Sequence, residues 1–238
     1  MNSSTYQLAA TMVNQFSRVD MISNNIANVN TNGFKQENLV EGSFNNYLNR
    51  AKNDGSNLDE MNKLINTVPK IDGKFIMGQQ GDLQVTANEL DFALNTPDTF
   101  FKIQNQNGEI EYTRDGSFKN LNGMLVDGNG NSVLSVDNEP LVVEGEFASL
   151  IGVIKTPFNN LEKVGDNNYK VKDFAQVELL DGNEEYVVQG AVEKSNVSAV
   201  SSMVQLIDAQ RRAEQAQTMF KSKSELNGKL IEKVGTPR

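Results

Sequence analysis

Apolar residues recur every three to four positions at both ends of the chain and every second position between them. Over residues 4–29, Leu8, Met12, Val19, Ile22 and Ile26 share one face, Val13 and Phe16 widen it, and no Gly or Pro interrupts it. That spacing predicts an amphipathic helix of roughly 39 Å, at ~1.5 Å per residue. Thr5 and Gln15 fall on the same heptad seam, which is therefore partly polar. Over residues 198–234, Val200, Met203, Val204, Leu206 and Ile207 open a second stripe, which Ala213, Ala216, Phe220, Leu226, Leu230, Ile231 and Val234 continue. Asn196 or Ser198 suits its N-cap and Gly235-Thr236-Pro237 stops it. This helix spans ~55 Å. Neither helix can bury its stripe on itself. The economical arrangement is an antiparallel coiled coil of the two terminal helices, with surplus stripe left for other subunits.

Between the helices the pattern changes twice. Asn24-Asn25-Ile26-Ala27-Asn28-Val29-Asn30-Thr31-Asn32-Gly33-Phe34-Lys35 closes the first helix, since Asn and Gly both tolerate positive φ. Phe34 is placed to pack back over the last turn. Residues 35–80 are weakly patterned and read as an irregular connector. Its one helical spacing (Leu58, Met61, Leu64, Ile65) is stopped by Pro69. The connector is either an adaptable arm that orders in an assembly or an ordinary surface loop.

From Gly81 the period is two. Strands are expected at 83–85, 90–94, 100–104, 109–113, 124–126, 132–136, 141–143, 151–155, 169–171 and 186–190. Turns separate them at Asn105–Gly108, Asp115-Gly116, Asn122-Gly123 and Asp127–Gly130. The expected fold class is α+β: paired terminal helices (1–34 with 196–238), a connector (35–80) and an inserted all-β domain (81–195).

Composition narrows the chemistry. The 238 residues include no Cys and no His, which removes disulfides, thiol nucleophiles, histidine triads and thiolate or imidazole zinc sites. A net charge of -9 argues against nucleic-acid binding, which needs clustered Lys and Arg. No run approaches ~18 apolar residues, so no membrane span is expected, and the N-terminus has neither the basic nor the apolar region of a signal peptide. Asp127-Gly128-Asn129-Gly130-Asn131 resembles the start of a calcium loop, but Ser132 and Asn138 stand where Gly and Glu are needed; it reads as a turn. Glu109, Glu111, Asp115, Glu144, Glu146, Glu184 and Glu185 are expected to be solvated rather than paired for acid–base work. Arg211-Arg212 reads as an interhelical ion-pair site. No catalytic, cofactor, metal or small-molecule site is expected.

The stretch Asn24 to Lys35 closely resembles the signature of bacterial flagellar basal-body rod and hook axial proteins. Gly81-Asp82-Leu83 with Leu90–Leu94, Phe100–Ile103, Tyr112–Phe118, Gly123–Val126, Leu161–Tyr169, Ser195-Asn196-Val197 and Met203 to Arg211 are similar to further family blocks. Three departures stand out. Asn95–Thr99 replaces the family's Gly-x-Gly turn, Glu139–Lys155 is shortened, and Arg212-Ala213-Glu214 follows where an aromatic is frequent.

The resemblance implies a structural protein whose terminal helices are disordered when free and fold as they assemble into a helical tube. Its partners would be other rod subunits and the flagellar type III export apparatus, with no cleaved signal. The tube would cross the periplasm and transmit torque. The assembly interface would draw on Leu8, Met12, Phe16, Val19, Ile22, Ile26, Val200, Met203, Val204, Ile207 and Phe220. The motif residues Asn24, Asn25, Asn28, Asn32, Gly33 and Phe34 would form the joint between helix and β domain. The long second helix and Arg211-Arg212 favour the proximal-rod type over a distal-rod or hook-type protein. A reading from another class is a secreted ligand-binding β domain on a helical stalk. It calls for an aromatic face that a chain with no Trp and five Tyr supplies poorly.

Overall fold

The computed structural model describes residues 3–43, 69–145, 147–180 and 186–235. Two long helices, α1 (Ser3–Ala27) and α2 (Ala199–Gly235), bracket a region of short strands, so the chain is α+β. It divides into two compact units.

The helical unit comprises Met1–Ile26, Glu37–Phe75 and Ala199–Arg238. Met21, Ile22 and Ala209 form its core, with Val19, Ile26, Leu39 and Leu206 packed against them. The buried positions of α2 are small, namely Ser202, Ala209, Ala213 and Ala216, which lets a neighbouring backbone come close. Strands β1 (Glu37–Ser43) and β2 (Pro69–Ile76) pair in a two-stranded sheet. Both ends of the expected connector are therefore strands. Their apolar residues are too sparse to register as alternation, and pairing with each other holds them. The helix expected near Leu58–Ile65 lies outside the described residues.

The β unit comprises Ala27–Gln36 and Ile76–Ser198. Its strands are β3 (Leu83–Val85), β4 (Phe92–Leu94), β5 (Thr99–Gln104), β6 (Ile110–Thr113), β7 (Lys119–Leu121), β8 (Met124–Val126), β9 (Ser132–Val133), β10 (Val153–Lys155), β11 (Leu161–Gly165), β12 (Asn168–Val171), β13 (Glu178–Leu179), β14 (Val187–Gln189) and β15 (Ala191–Glu193). The main sheet runs β11-β12-β6-β5-β9-β8-β7, and β10 pairs both β5 and β13. On one edge β5 is shared: Thr99–Phe101 face β10, and Ile103-Gln104 face β9.

Strand β5 is central because both of its faces are buried. Phe101 and Ile103 enter a core with Phe92, Leu94, Phe118, Leu125 and Val133. Phe100 points the other way, into a core with Tyr112, Ile154, Leu161 and Tyr169. Two hairpins close through left-handed two-residue turns, as the strand twist favours. Asn122-Gly123 (φ 53° and 86°) joins β7 to β8, and Asp166-Asn167 (φ 46° and 63°) joins β11 to β12.

The expected strand at 141–143 reduces to a single bridge, Met124 to Val142. Conversely β7, β11, β13 and β15 form where no alternation announced them. Strands β7 and β13 are polar and exposed, so backbone pairing alone places them, and β15 is buried at every position including Glu193.

Candidate assembly surface and the motif joint

In the helical unit the last turn of α1 is tied to β1 by one buried amide. Asn25 Nδ2 donates to Glu37 O at 2.8 Å, and Asn25 Oδ1 accepts from Glu37 N at 3.0 Å. The side chain thus meets a backbone residue as a strand neighbour would.

In the β unit the motif continues as a tight turn. Thr31 N donates to Asn28 O, and Thr31 Oγ1 to Asn28 Oδ1. Asn32 O accepts from Asn167 Nδ2 at 3.1 Å. Gly33 has φ +65° and donates its N–H to Glu193 O at 2.7 Å. Phe34 is buried beneath the Lys163 ammonium, 4.3 Å from the ring centroid. Asn196 does not cap α2. Its Oδ1 accepts from Gln36 N at 2.7 Å, and its Nδ2 donates to Met77 O and Gln79 O.

Beneath this turn lies a fully buried charge cluster. Glu193 Oε1 accepts from Lys35 Nζ at 2.6 Å and from Gly81 N at 2.9 Å. Glu193 Oε2 accepts from Arg114 Nε at 2.8 Å and Nη2 at 2.5 Å. Arg114 Nη1 reaches the carbonyls of Thr96, Pro97 and Thr99, so this guanidinium organises the loop that replaces the family's Gly-x-Gly turn. Lys35 Nζ also donates to Gln79 O at 2.7 Å. Burial pushes the Lys35 pKa down, and Arg114 pushes the same way, against Glu193. Burial likewise lowers Arg114, opposed by Glu193, but a guanidinium starts high enough to remain a cation. A buried ion pair is only weak evidence of stability, because desolvation offsets attraction. What this cluster supplies is specificity: four donors from three chain segments meet one carboxylate.

Two carboxylates expected in solvent are not there. Glu111 is buried and bonded by Asn105 Nδ2 and Asn168 Nδ2. Asp115 accepts from Ser117 N and Oγ, and burial raises its pKa despite those bonds. Both serve hairpins and turns. Asp127 turns its oxygens on its own loop, accepting from Asn129 N, Asn131 N and Asn131 Nδ2, each at 2.8 Å.

The helix residues divide by burial. Ile22 is buried within the subunit; Leu8, Met12, Val19 and Ile26 are half-buried; Phe16 is 48% exposed. On α2, Val200 (75% exposed), Met203, Val204 (60%) and Ile207 all face solvent, with Phe220 at the margin. The stripe read as one face is therefore two. Small residues face inward, while Val200, Met203, Val204 and Ile207 form a separate outward face. Arg212 pairs with Asp208 of its own helix at 4.0 Å, both exposed, not across helices. It also lines a cleft of about 480 Å³ with Arg18, Phe75, Gln205 and Asp208. Of the motif asparagines, Asn24 is exposed, Asn28 and Asn32 are half-buried and Asn25 is buried.

Comparison with known proteins bears on this arrangement directly. Residues 7–35 match the family described as flagella basal body rod protein, residues 96–160 the D1 domain of the FlgE/F/G hook protein family, and residues 188–232 the C-terminal domain of the flagellar basal body rod FlgEFG proteins. A flagellar basal-body rod protein FlgF from Caulobacter vibrioides is 30% identical over 91% of each chain. The chain belongs to the flagellar basal-body rod protein family. A FlgG of Buchnera aphidicola is 30% identical, covering 82% of this chain and 86% of its own. FlhP of Bacillus subtilis, named a flagellar hook-basal body complex protein, is 27% identical over 85% and 89%. The rod proteins it resembles are structural, and the chain is not an enzyme.

The three matched stretches of the rod family contribute one member each to the buried cluster: Lys35, Arg114 and Glu193. Sequence reasoning singled out the blocks holding the first two but not Glu193. The available signal was a carboxylate ending the apolar run Ala191-Val192-Glu193.

Proposed function

We propose that this chain polymerises through its terminal helices into the axial rod, and that the rod crosses the periplasm and passes torque from motor to hook. The observation that carries this reading is the outward face of α2. Val200, Met203, Val204 and Ile207 lie within two turns of one helix, exposed although apolar, and exposed apolar patches mark interaction sites. Phe16 and Val13 on α1 supply a second exposed pair. In the assembled rod α1 and α2 run as an antiparallel coiled coil, and these outward faces meet neighbouring subunits, of this chain and of other rod proteins. Delivery is through the flagellar type III export apparatus. The 37-residue α2 and Arg211-Arg212 support the proximal-rod type.

Among the described residues no helix is long and apolar enough to cross a membrane. Burying four such side chains contributes several kcal/mol at ~25 cal/mol per Å², against the entropy of ordering the helices. The test is the double substitution Val204→Asp/Ile207→Asp. Incorporation into basal bodies and motility are expected to be lost while the β unit keeps its near-UV dichroism. Normal motility would rule the outward face out as the contact.

A further inference from the structure

We propose that the cluster Lys35–Glu193–Arg114 enforces an order of docking, in which β15 seats on the β unit before residues 27–36 do, and leaves only after them. The inference rests on charge balance. Among the described residues, Glu193 is the one carboxylate bonded to two buried cations, and all three side chains are fully enclosed. Asp98 favours both cations electrostatically but makes no ion pair with either among the described residues.

Consider the two ways of opening. If residues 27–36 lift away, Lys35 leaves and Arg114 stays paired with Glu193. That pair is neutral, and Arg114 keeps its bonds to Thr96 O, Pro97 O and Thr99 O. If β15 lifts away while residues 27–36 stay, Glu193 leaves and two cations remain enclosed with no anion. An uncompensated buried charge is among the costliest defects a fold can carry, and here there would be two of like sign. Gly33 would also lose the acceptor of its N–H, Glu193 O, and Gln36 would lose Asn196 Oδ1. The first opening is thus available and the second is closed. In chain terms, residues 27–36 continue into α1 and β15 continues through 194–198 into α2. The end bearing α2 is therefore anchored first and the end bearing α1 second.

Native-state hydrogen exchange on the full chain tests this. The Gly33 and Gln36 amides report on residues 27–36. The Lys194 amide, donated to Asp82 O, reports on β15 against β3. In the unmodified protein Gly33 and Gln36 are expected to exchange at least tenfold faster than Lys194, through a smaller opening with weaker denaturant dependence. Equal rates, or a faster Lys194, would overturn the order without any variant being made. The cluster's part is tested by a cycle. Glu193→Gln is expected to speed Lys194 exchange roughly a hundredfold in the otherwise unmodified chain. In the Lys35→Met background the same change should do so at least tenfold less, because only one cation is then left. Equal acceleration in the two backgrounds would show that charge balance does not set the order. Should Glu193→Gln alone fail to fold, folding of the Lys35→Met/Glu193→Gln chain supports the mechanism, and failure of both overturns it.

Discussion

A methyl group on Gly33 would stand 2.4 Å from the Arg114 carbonyl carbon and 2.5 Å from Asp115 N, on a backbone with φ +65°. Both the left-handed conformation and the contact exclude other residues. Gly33→Ala is expected to destabilise the β unit by about 2–5 kcal/mol, read as a lower urea midpoint with an unchanged slope. A shift within error would mean that the turn can move off Arg114. Asn32-Gly33 announced a turn in the sequence, and the turn is there. What no local pattern could announce is its contact with residue 114, which depends on chain segments about eighty positions apart. The same holds for Glu111: a carboxylate in a short strand reads as solvated, and Asn168 Nδ2, brought by another segment, helps make its burial tolerable. Asp115, by contrast, is held by its near neighbour Ser117.

The two helices are the most legible elements, because periodicity over 25 and 37 residues leaves little ambiguity. Which side of α2 faces inward was not legible. A hydrophobicity ranking chooses Val200, Met203, Val204 and Ile207, yet the unit buries Ser202, Ala209, Ala213 and Ala216, since close packing selects small size over apolarity. The two faces should respond oppositely. Ala213→Leu is expected to overpack the inner face and cost about 1–3 kcal/mol of subunit stability. Val204→Ser should stay within ~0.5 kcal/mol in the free subunit while weakening assembly. Thermal unfolding of dilute protein, set beside sedimentation at high concentration, separates the two. Equal losses of stability would show that the faces are not distinct. Strand β12 was found where alternate side chains, Tyr169 and Val171, enter one core, and β5 where an apolar run is buried on both faces. Of those missed, β7, β13 and β15 are short, and β1, β2 and β11 are longer but without clear alternation, so pairing with a neighbour defines them.

At the scale of the whole molecule, the net charge of -9 sets subunits against one another, whereas the outward face of α2 draws them together. Salt moves only the first of these. Raising ionic strength from about 0.01 M to 0.15 M shortens the screening length from ~30 Å to ~8 Å, so self-association of purified subunits is expected to strengthen. Sedimentation velocity reads it. Dissociation on adding salt would show that ion pairs, not apolar faces, hold the contact. The two terminal helices and the strand-rich region between them were foreseeable from the change of period along the chain. The grouping of residues 27–36 with the β unit was not, because it is set by Glu193, Asn196 and Asn167 reaching the turn from elsewhere in the sequence.

The turn at Asn32-Gly33 also bears on the chemical lifetime of the protein. An asparagine followed by glycine is the dipeptide most prone to deamidation, in which the glycine nitrogen attacks the asparagine side chain and closes a five-membered imide. In the β unit that nitrogen is committed to Glu193 O at 2.7 Å, and the backbone that would have to swing is wedged against Arg114. Folding thus shields the most perishable bond in the motif. Chains that wait unfolded age at this position, and chains seated in their final place do not.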